Sequence, residues 1–216
     1  MSTADLDAVR EAICRVARSL YERGYVHATA GNISVRTAAG TLITPTDACL
    51  GELEPQRLAL VADDGTQLSG DRASKTLTLH RRIYAAAPQA RCVIHTHSTH
   101  LVALTLQGVW QPEAVLPPIT PYFVMKVGRV PLIPYRAPGD PEVAEMVAAR
   151  LAERPLRAVM LDRLGPVVWH DSPAAASAVL EELEETARLW LLCEPRPAAL
   201  DDAALTDLQR RFGAVW

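Results

Sequence analysis

With 49% hydrophobic side chains in 216 residues, the chain can bury a sizeable core, which excludes disorder and favours one domain over two. A net charge of −3 gives no overall drive toward nucleic acid or an anionic membrane, so neither is expected as a partner. No uninterrupted apolar run reaches the roughly 18 residues of a bilayer span. Met1-Ser2-Thr3-Ala4-Asp5-Leu6-Asp7 shows no basic segment leading into an apolar one. A cytoplasmic protein is therefore expected, with Cys14, Cys49, Cys92 and Cys193 as reduced thiols.

Thr3 is placed to cap a first helix, with Leu6, Val9, Ile13, Val16, Ala17 and Leu20 at helical spacing and Gly24 ending it. Ile33-Ser34-Val35-Arg36 alternates like a strand, and Leu42-Ile43 begins a second one after the Ala39-Gly40 turn. Asp63-Asp64-Gly65 is a hairpin-turn signal between Leu58–Val61 and Gln67-Leu68. Ser74 is predicted to cap a helix over Lys75–Ala86. Cys92-Val93-Ile94 is a strand running into three histidines, followed by a helix over Leu101–Gln107. The proline-rich stretch from Trp110 to Pro141 reads as an ordered excursion holding strand-like pieces at Phe123-Val124-Met125 and Leu132-Ile133. Pro141–Ala152 is an amphipathic helix, and Ala158–Leu161 and Val167–Trp169 are short strands. Ser172-Pro173 opens a long helix to Cys193, whose run Glu181-Glu182 and Glu184-Glu185 reads as a solvated face. Helices and hairpin strands in mixed order predict an α/β fold on a mainly antiparallel sheet.

Side chains alternate across a strand, so His95 and His97 share a face. The pair reads either as half a metal chelate or as polar residues bonded to backbone or water. Three polar loops offer hydroxyls, an amide, backbone N–H groups and a lysine: Thr29-Ala30-Gly31-Asn32, Thr44-Pro45-Thr46-Asp47 and Gly70-Asp71-Arg72-Ala73-Ser74-Lys75. Phosphate binds well at such places, although no Walker or dinucleotide glycine pattern is present and each loop also reads as a plain turn. His27 and His80 read as packing or hydrogen-bonding residues, Cys92 as core, and the four tryptophans as buried apolar area, with Trp216 also a candidate subunit contact.

Taken together, Gly31-Asn32-Ile33-Ser34-x-Arg36, Leu42-Ile43-Thr44-Pro45-Thr46, Ser74 with His80 and Tyr84, and Val93-Ile94-His95-Thr96-His97-Ser98 resemble the class II aldolase/adducin family. Gly165-Pro166-Val167-Val168 and Glu184-x-x-Ala187 extend the resemblance over roughly Leu6 to Leu192. The stretches Pro117–Met125, Gly128–Pro131 and Pro138–Pro141 look like the branch that decarboxylates 3-oxo-tetronate 4-phosphates. The resemblance implies a single αβα three-layer domain over residues 1–216, with 195–216 as a C-terminal tail, assembled as a homotetramer with sites between subunits. It implies a divalent metal, zinc by family habit, held by His95 and His97. Gly31, Asn32, Thr46, Asp47, Ser74 and Lys75 fall on the positions that bind a substrate phosphate, and Tyr122 on a catalytic tyrosine lent by a neighbouring subunit. The family prefers glycine where this chain has Asp47.

Two departures bear on the chemistry. The family's third metal histidine corresponds to Leu164, and its catalytic, metal-ligating glutamate to Thr76. Leucine ligates nothing, and a threonine hydroxyl is neither a carboxylate ligand nor a base near neutral pH. His100, His170, the substrate or a neighbouring subunit could supply the missing ligands, or tight metal binding could be lost. The leading expectation is a lyase of a small phosphorylated sugar acid. The rival is a non-catalytic, adducin-like relative that keeps the fold and the loops.

Overall fold

The computed structural model describes residues 3–216. Eight strands form one sheet in the order β4-β3-β2-β1-β5-β8-β7-β6. They are β1 (Asn32–Thr37), β2 (Gly40–Ile43), β3 (Ala59–Val61), β4 (Gln67–Ser69), β5 (Cys92–His95), β6 (Leu132–Ile133), β7 (Ala158–Leu161) and β8 (Gly165–His170). Six of the seven neighbouring pairs are antiparallel and the edge pair β6–β7 is parallel, so the sheet is mixed. The parallel edge has a simple cause. The helix α5 (Glu142–Glu153) lies between β6 and β7, and a helical crossover returns the chain in the same direction.

The period of two sorts the strand residues onto two faces. Ile33, Val35, Cys92, Ile94, Met160 and Val168 point to one core, shared with α1 (Thr3–Glu22), α3 (Thr99–Gln107), α4 (Pro121–Lys126) and α6 (Pro173–Leu192). Val93, Val159, Leu161, Val167 and Trp169 point to the other, under α2 (Leu77–Ala86) and α5. The result is helices, sheet, helices. A last helix, α7 (Asp202–Phe212), packs on α4. No described helix is long and apolar enough to cross a membrane.

Several local expectations are corrected. Phe123-Val124-Met125 is helical, because Thr120 Oγ1 accepts from the Phe123 N–H at 3.1 Å and Pro121 pre-sets the first turn. Ser74 caps no helix: its hydroxyl bonds Thr76 Oγ1 at 2.9 Å, and α2 starts at Leu77 with Thr76 at its N-cap position. Any cap of α1 lies outside the described residues, since Thr3 is already helical. Trp110 is exposed rather than core. Glu184 is only 5% exposed, not part of a solvated face. Its carboxylate accepts from the His100 and Leu101 N–H groups at 2.9 and 3.0 Å and from His100 Nδ1 at 2.9 Å, so α6 caps α3 from across the packing interface.

Candidate active site

Apart from Tyr122, the predicted site residues converge at one end of the sheet through main-chain pairing. Asn32 opens β1 and lies opposite His95, the last residue of β5. Thr44, just past β2, receives the Ile33 N–H on its Oγ1 at 3.2 Å and the Ser74 N–H on its carbonyl at 3.2 Å. The Thr46 N–H donates to Arg72 O at 2.9 Å, so the second and third polar loops are tied side by side. Gly31, Asn32, Thr46, Ser74 and Lys75 thus border one region. Asp47 sits beside them, exposed, at φ 56°. That left-handed backbone is natural for glycine and tolerated by aspartate, which gives the resemblance's glycine a physical reason.

Two glycines set the histidine loop. A Cβ on Gly31, at φ 84°, would lie 2.8 Å from His95 O, and one on Gly165, at φ 136°, would lie 2.0 Å from Thr96 O. Only a bare Cα lets both neighbours approach the main chain of 95–96 so closely. His95 is buried, and its Nδ1–H donates to Pro166 O at 2.9 Å, leaving the Nε2 lone pair free. Burial, then the nearby His97, push the His95 pKa down to about 4. His97 is half-buried and also lowered, first by burial and then by His27, whose ring centroid is 6.4 Å away. The His95 and His97 centroids are 5.0 Å apart.

That spacing suits two imidazoles on one tetrahedral ion, about 5 Å for metal–nitrogen bonds of roughly 2.0–2.1 Å. The set stops there. Among the described residues no group of three His, Cys, Asp or Glu is brought together for a metal. Thr76 and Leu164 line the same cleft as His95, a cavity of ≈ 120 Å³, and neither can ligate in place of a carboxylate or an imidazole. His100 is turned away to Glu184, and His170 pairs with Asp171 at 2.8 Å. His170 lies opposite Cys92, three residues or about 10 Å along β5 from His95. The residues present therefore do not make a complete resident divalent site.

Tyr122 lies on α4, 59% exposed, and does not line the His95 cleft. A larger cavity of ≈ 690 Å³, lined by Arg129, Arg157, Trp169, His170 and Trp216, contains none of the predicted phosphate-loop residues and neither His95 nor His97. His80, expected as a packing or hydrogen-bonding residue, is both: it is fully buried on α2 and bonded to β1. Its Nδ1 is 2.7 Å from Ser34 Oγ, which is 2.7 Å from Tyr84 O–H, while its Nε2 has no partner. Burial, then His95, hold its pKa down at about 3, so it is neutral. The period-two placement of Asn32 and Ser34 on one face was the available signal for this buried chain.

A family profile, Class II Aldolase and Adducin N-terminal domain, matches residues 11–191. The chain belongs to the class II aldolase/adducin family. Within it, this family member is 59% identical over 213 residues to a 3-oxo-tetronate 4-phosphate decarboxylase of Cupriavidus necator, covering 96% of this chain and 97% of that protein. It is 44% identical over 192 residues to a protein of the same name from Escherichia coli strain K12, covering 88% and 89%. The fold of the crystal structure of YgbL from Escherichia coli overlays with a TM-score of 0.88 at 40% identity, covering 94% of this chain and 99% of that one. An L-fuculose 1-phosphate aldolase overlays at 0.82 with 22% identity over 99% and 98% of the two chains, which shows the shared fold.

Proposed function

We propose that this class II aldolase family member is a carbon–carbon lyase that decarboxylates a 3-oxo-tetronate 4-phosphate. The observation that carries the reading is the retained anion-loop cluster beside His95 in a chain 59% identical, nearly end to end, to a protein of that name. Lys75 supplies a point charge for the phosphate, with Asn32, Thr46, Ser74 and the Gly31 main chain around it. Asp47 shares the loop, and its carboxylate turns outward in this role.

Zinc, expected from the resemblance, finds only His95 and His97 among the described residues, and the roles of substrate binding and orientation fall to the chain's own groups. In a 3-oxo acid the C1–C2 bond breaks, CO2 leaves, and the electron pair moves through C2 to the C3 oxygen, giving an enediolate. Protonation at C2 then yields the triose phosphate ketone. No base is needed to begin, which suits a site with threonine at position 76. Leu79, Ile133, Leu161 and Leu164 line the cleft with apolar surface, and a carboxylate seated there loses water and is pushed toward CO2. The Thr76 hydroxyl, already bonded to Ser74, can donate to a substrate oxygen. Tyr122, exposed on α4, is suited to reach a neighbour's cleft in a homotetramer. We place the protein in the cytoplasm as one domain, 1–216, with 195–216 as its tail.

The test is release of 13CO2 from C1-labelled 3-oxo-tetronate 4-phosphate by the purified protein, followed by NMR. Turnover that falls with Lys75→Met through a higher KM supports the reading. The second reading, a non-catalytic relative, is favoured by Leu164 and Thr76. Phosphate binding without CO2 release would establish it.

A further inference from the structure

Two buried side-chain atoms in the described fold have no hydrogen-bond partner, Asn32 Oδ1 and His80 Nε2. They belong to neighbouring groups. Asn32 and Ser34 are two apart on β1 and so share a face, and Ser34 Oγ holds the other nitrogen of His80. Asn32 is also the cross-strand partner of His95, with which His80 interacts electrostatically. Two sealed, unpaired polar atoms are costly unless something joins them.

We propose that one water molecule bridges His80 Nε2 and Asn32 Oδ1, and that His80 is thereby a positioning residue that turns the Asn32 amide so that its Nδ2 faces the bound anion. Polarity around the chain is consistent throughout. Tyr84 O–H donates to Ser34 Oγ, and Ser34 O–H donates to His80 Nδ1. Nε2 then carries the proton and donates to the water, which donates to Asn32 Oδ1. An amide turned the other way would aim its oxygen at a phosphate and repel it. The buried Ser34–Tyr84 pair is what fixes the tautomer. His80 thus reaches the anion site through one water, without touching the ligand itself.

The inference rests on Asn32 belonging to the anion site proposed above, and the experiment separates the two. Inorganic phosphate is titrated calorimetrically into the full-length protein and into His80→Phe, with the fold of each checked by circular dichroism. His80→Phe weakens phosphate about tenfold, the worth of one hydrogen bond, and His80→Gln, which keeps an N–H donor, recovers most of it. 15N NMR of the wild type shows His80 as the neutral Nε2–H tautomer. Wild-type protein that does not bind phosphate refutes the anion site and this inference with it. Wild-type binding that His80→Phe leaves unchanged, or an Nδ1–H tautomer, overturns this inference alone. Should His80→Phe fail to fold, Ser34→Ala replaces it: loss of the fixed tautomer with weaker phosphate supports the bridge, and unchanged affinity rejects it.

Discussion

Replacing Glu184 by alanine strips three donors of their acceptor at once: the His100 and Leu101 N–H groups and the His100 ring. Leu101 is fully buried, so its N–H loses an acceptor that water cannot replace, whereas His100 is partly exposed and recovers some hydration. A buried donor left unpaired costs ~1–3 kcal/mol, and one full plus one partial loss comes to about 3 kcal/mol. For a chain of this size each kcal/mol lowers Tm by roughly 2–4 °C, so Glu184→Ala should melt about 6–12 °C lower. Urea titration followed by far-ultraviolet circular dichroism should show a lower midpoint at unchanged slope. Glu184→Gln, which keeps one acceptor oxygen, should lose about half as much. The damage should also reach the site, because α3 begins at Thr99, directly after the His95–Ser98 segment. A loss below about 1 kcal/mol for Glu184→Ala would refute the reasoning and mean that solvent serves the N-terminus of α3.

Leu164→His combined with Thr76→Glu places two donors in the cleft that already holds His95. Zinc affinity, read by competition with a chromophoric chelator, should rise by more than about tenfold per restored ligand, since even outer-shell partners are worth that much. An unchanged affinity would mean the cleft cannot bring the four groups together. Stability should fall with acid, because His80 and His95 have folded pKa values of about 3 and about 4, below the ordinary 6.5. The unfolded chain takes up protons that the folded one refuses, so their contribution is whole above pH 6.5 and lost as pH falls toward 4 for His95 and toward 3 for His80. At pH 5 that loss is about 2 kcal/mol for each histidine, measurable by urea titration at the two pH values, and a flat profile would refute it. Gly165→Ala, whose Cβ would meet Thr96 O at 2.0 Å, should destabilise the fold by about 3 kcal/mol, and a neutral result would show that the 95–97 loop can move aside.

Where neighbouring residues carry their own pattern, the sequence was legible. The alternation in Ile33–Arg36, the Asp-Gly turn and the Ser172-Pro173 helix start all reflect local chemistry, and each appears in the fold. The grouping of the three polar loops with His95 was legible through resemblance to a family rather than through spacing, because register between distant strands leaves no local trace. Phe123–Met125 was misjudged since its β-rich composition was outweighed by Thr120 and Pro121 just before it. Glu184 was misjudged for a different reason: on its own helix it looks like one acid among four, and only the packing of α3 supplies its partners. For the His80–Ser34–Tyr84 chain, periodicity shows only that Asn32 and Ser34 share a face of β1, and the partners on α2 come with the packing of helix on sheet.

The close passage of Gly31 and Gly165 against residues 95–96 separates two kinds of inheritance in the site. His95 and His97 are located by main-chain thickness, so their spacing is indifferent to what other side chains become. The groups at positions 76 and 164 are contributed by a helix start and a strand turn, and can be exchanged without moving the histidines. A lineage could therefore trade away, or regain, half of its metal shell by substitution alone, while the imidazole pair waits in unchanged register.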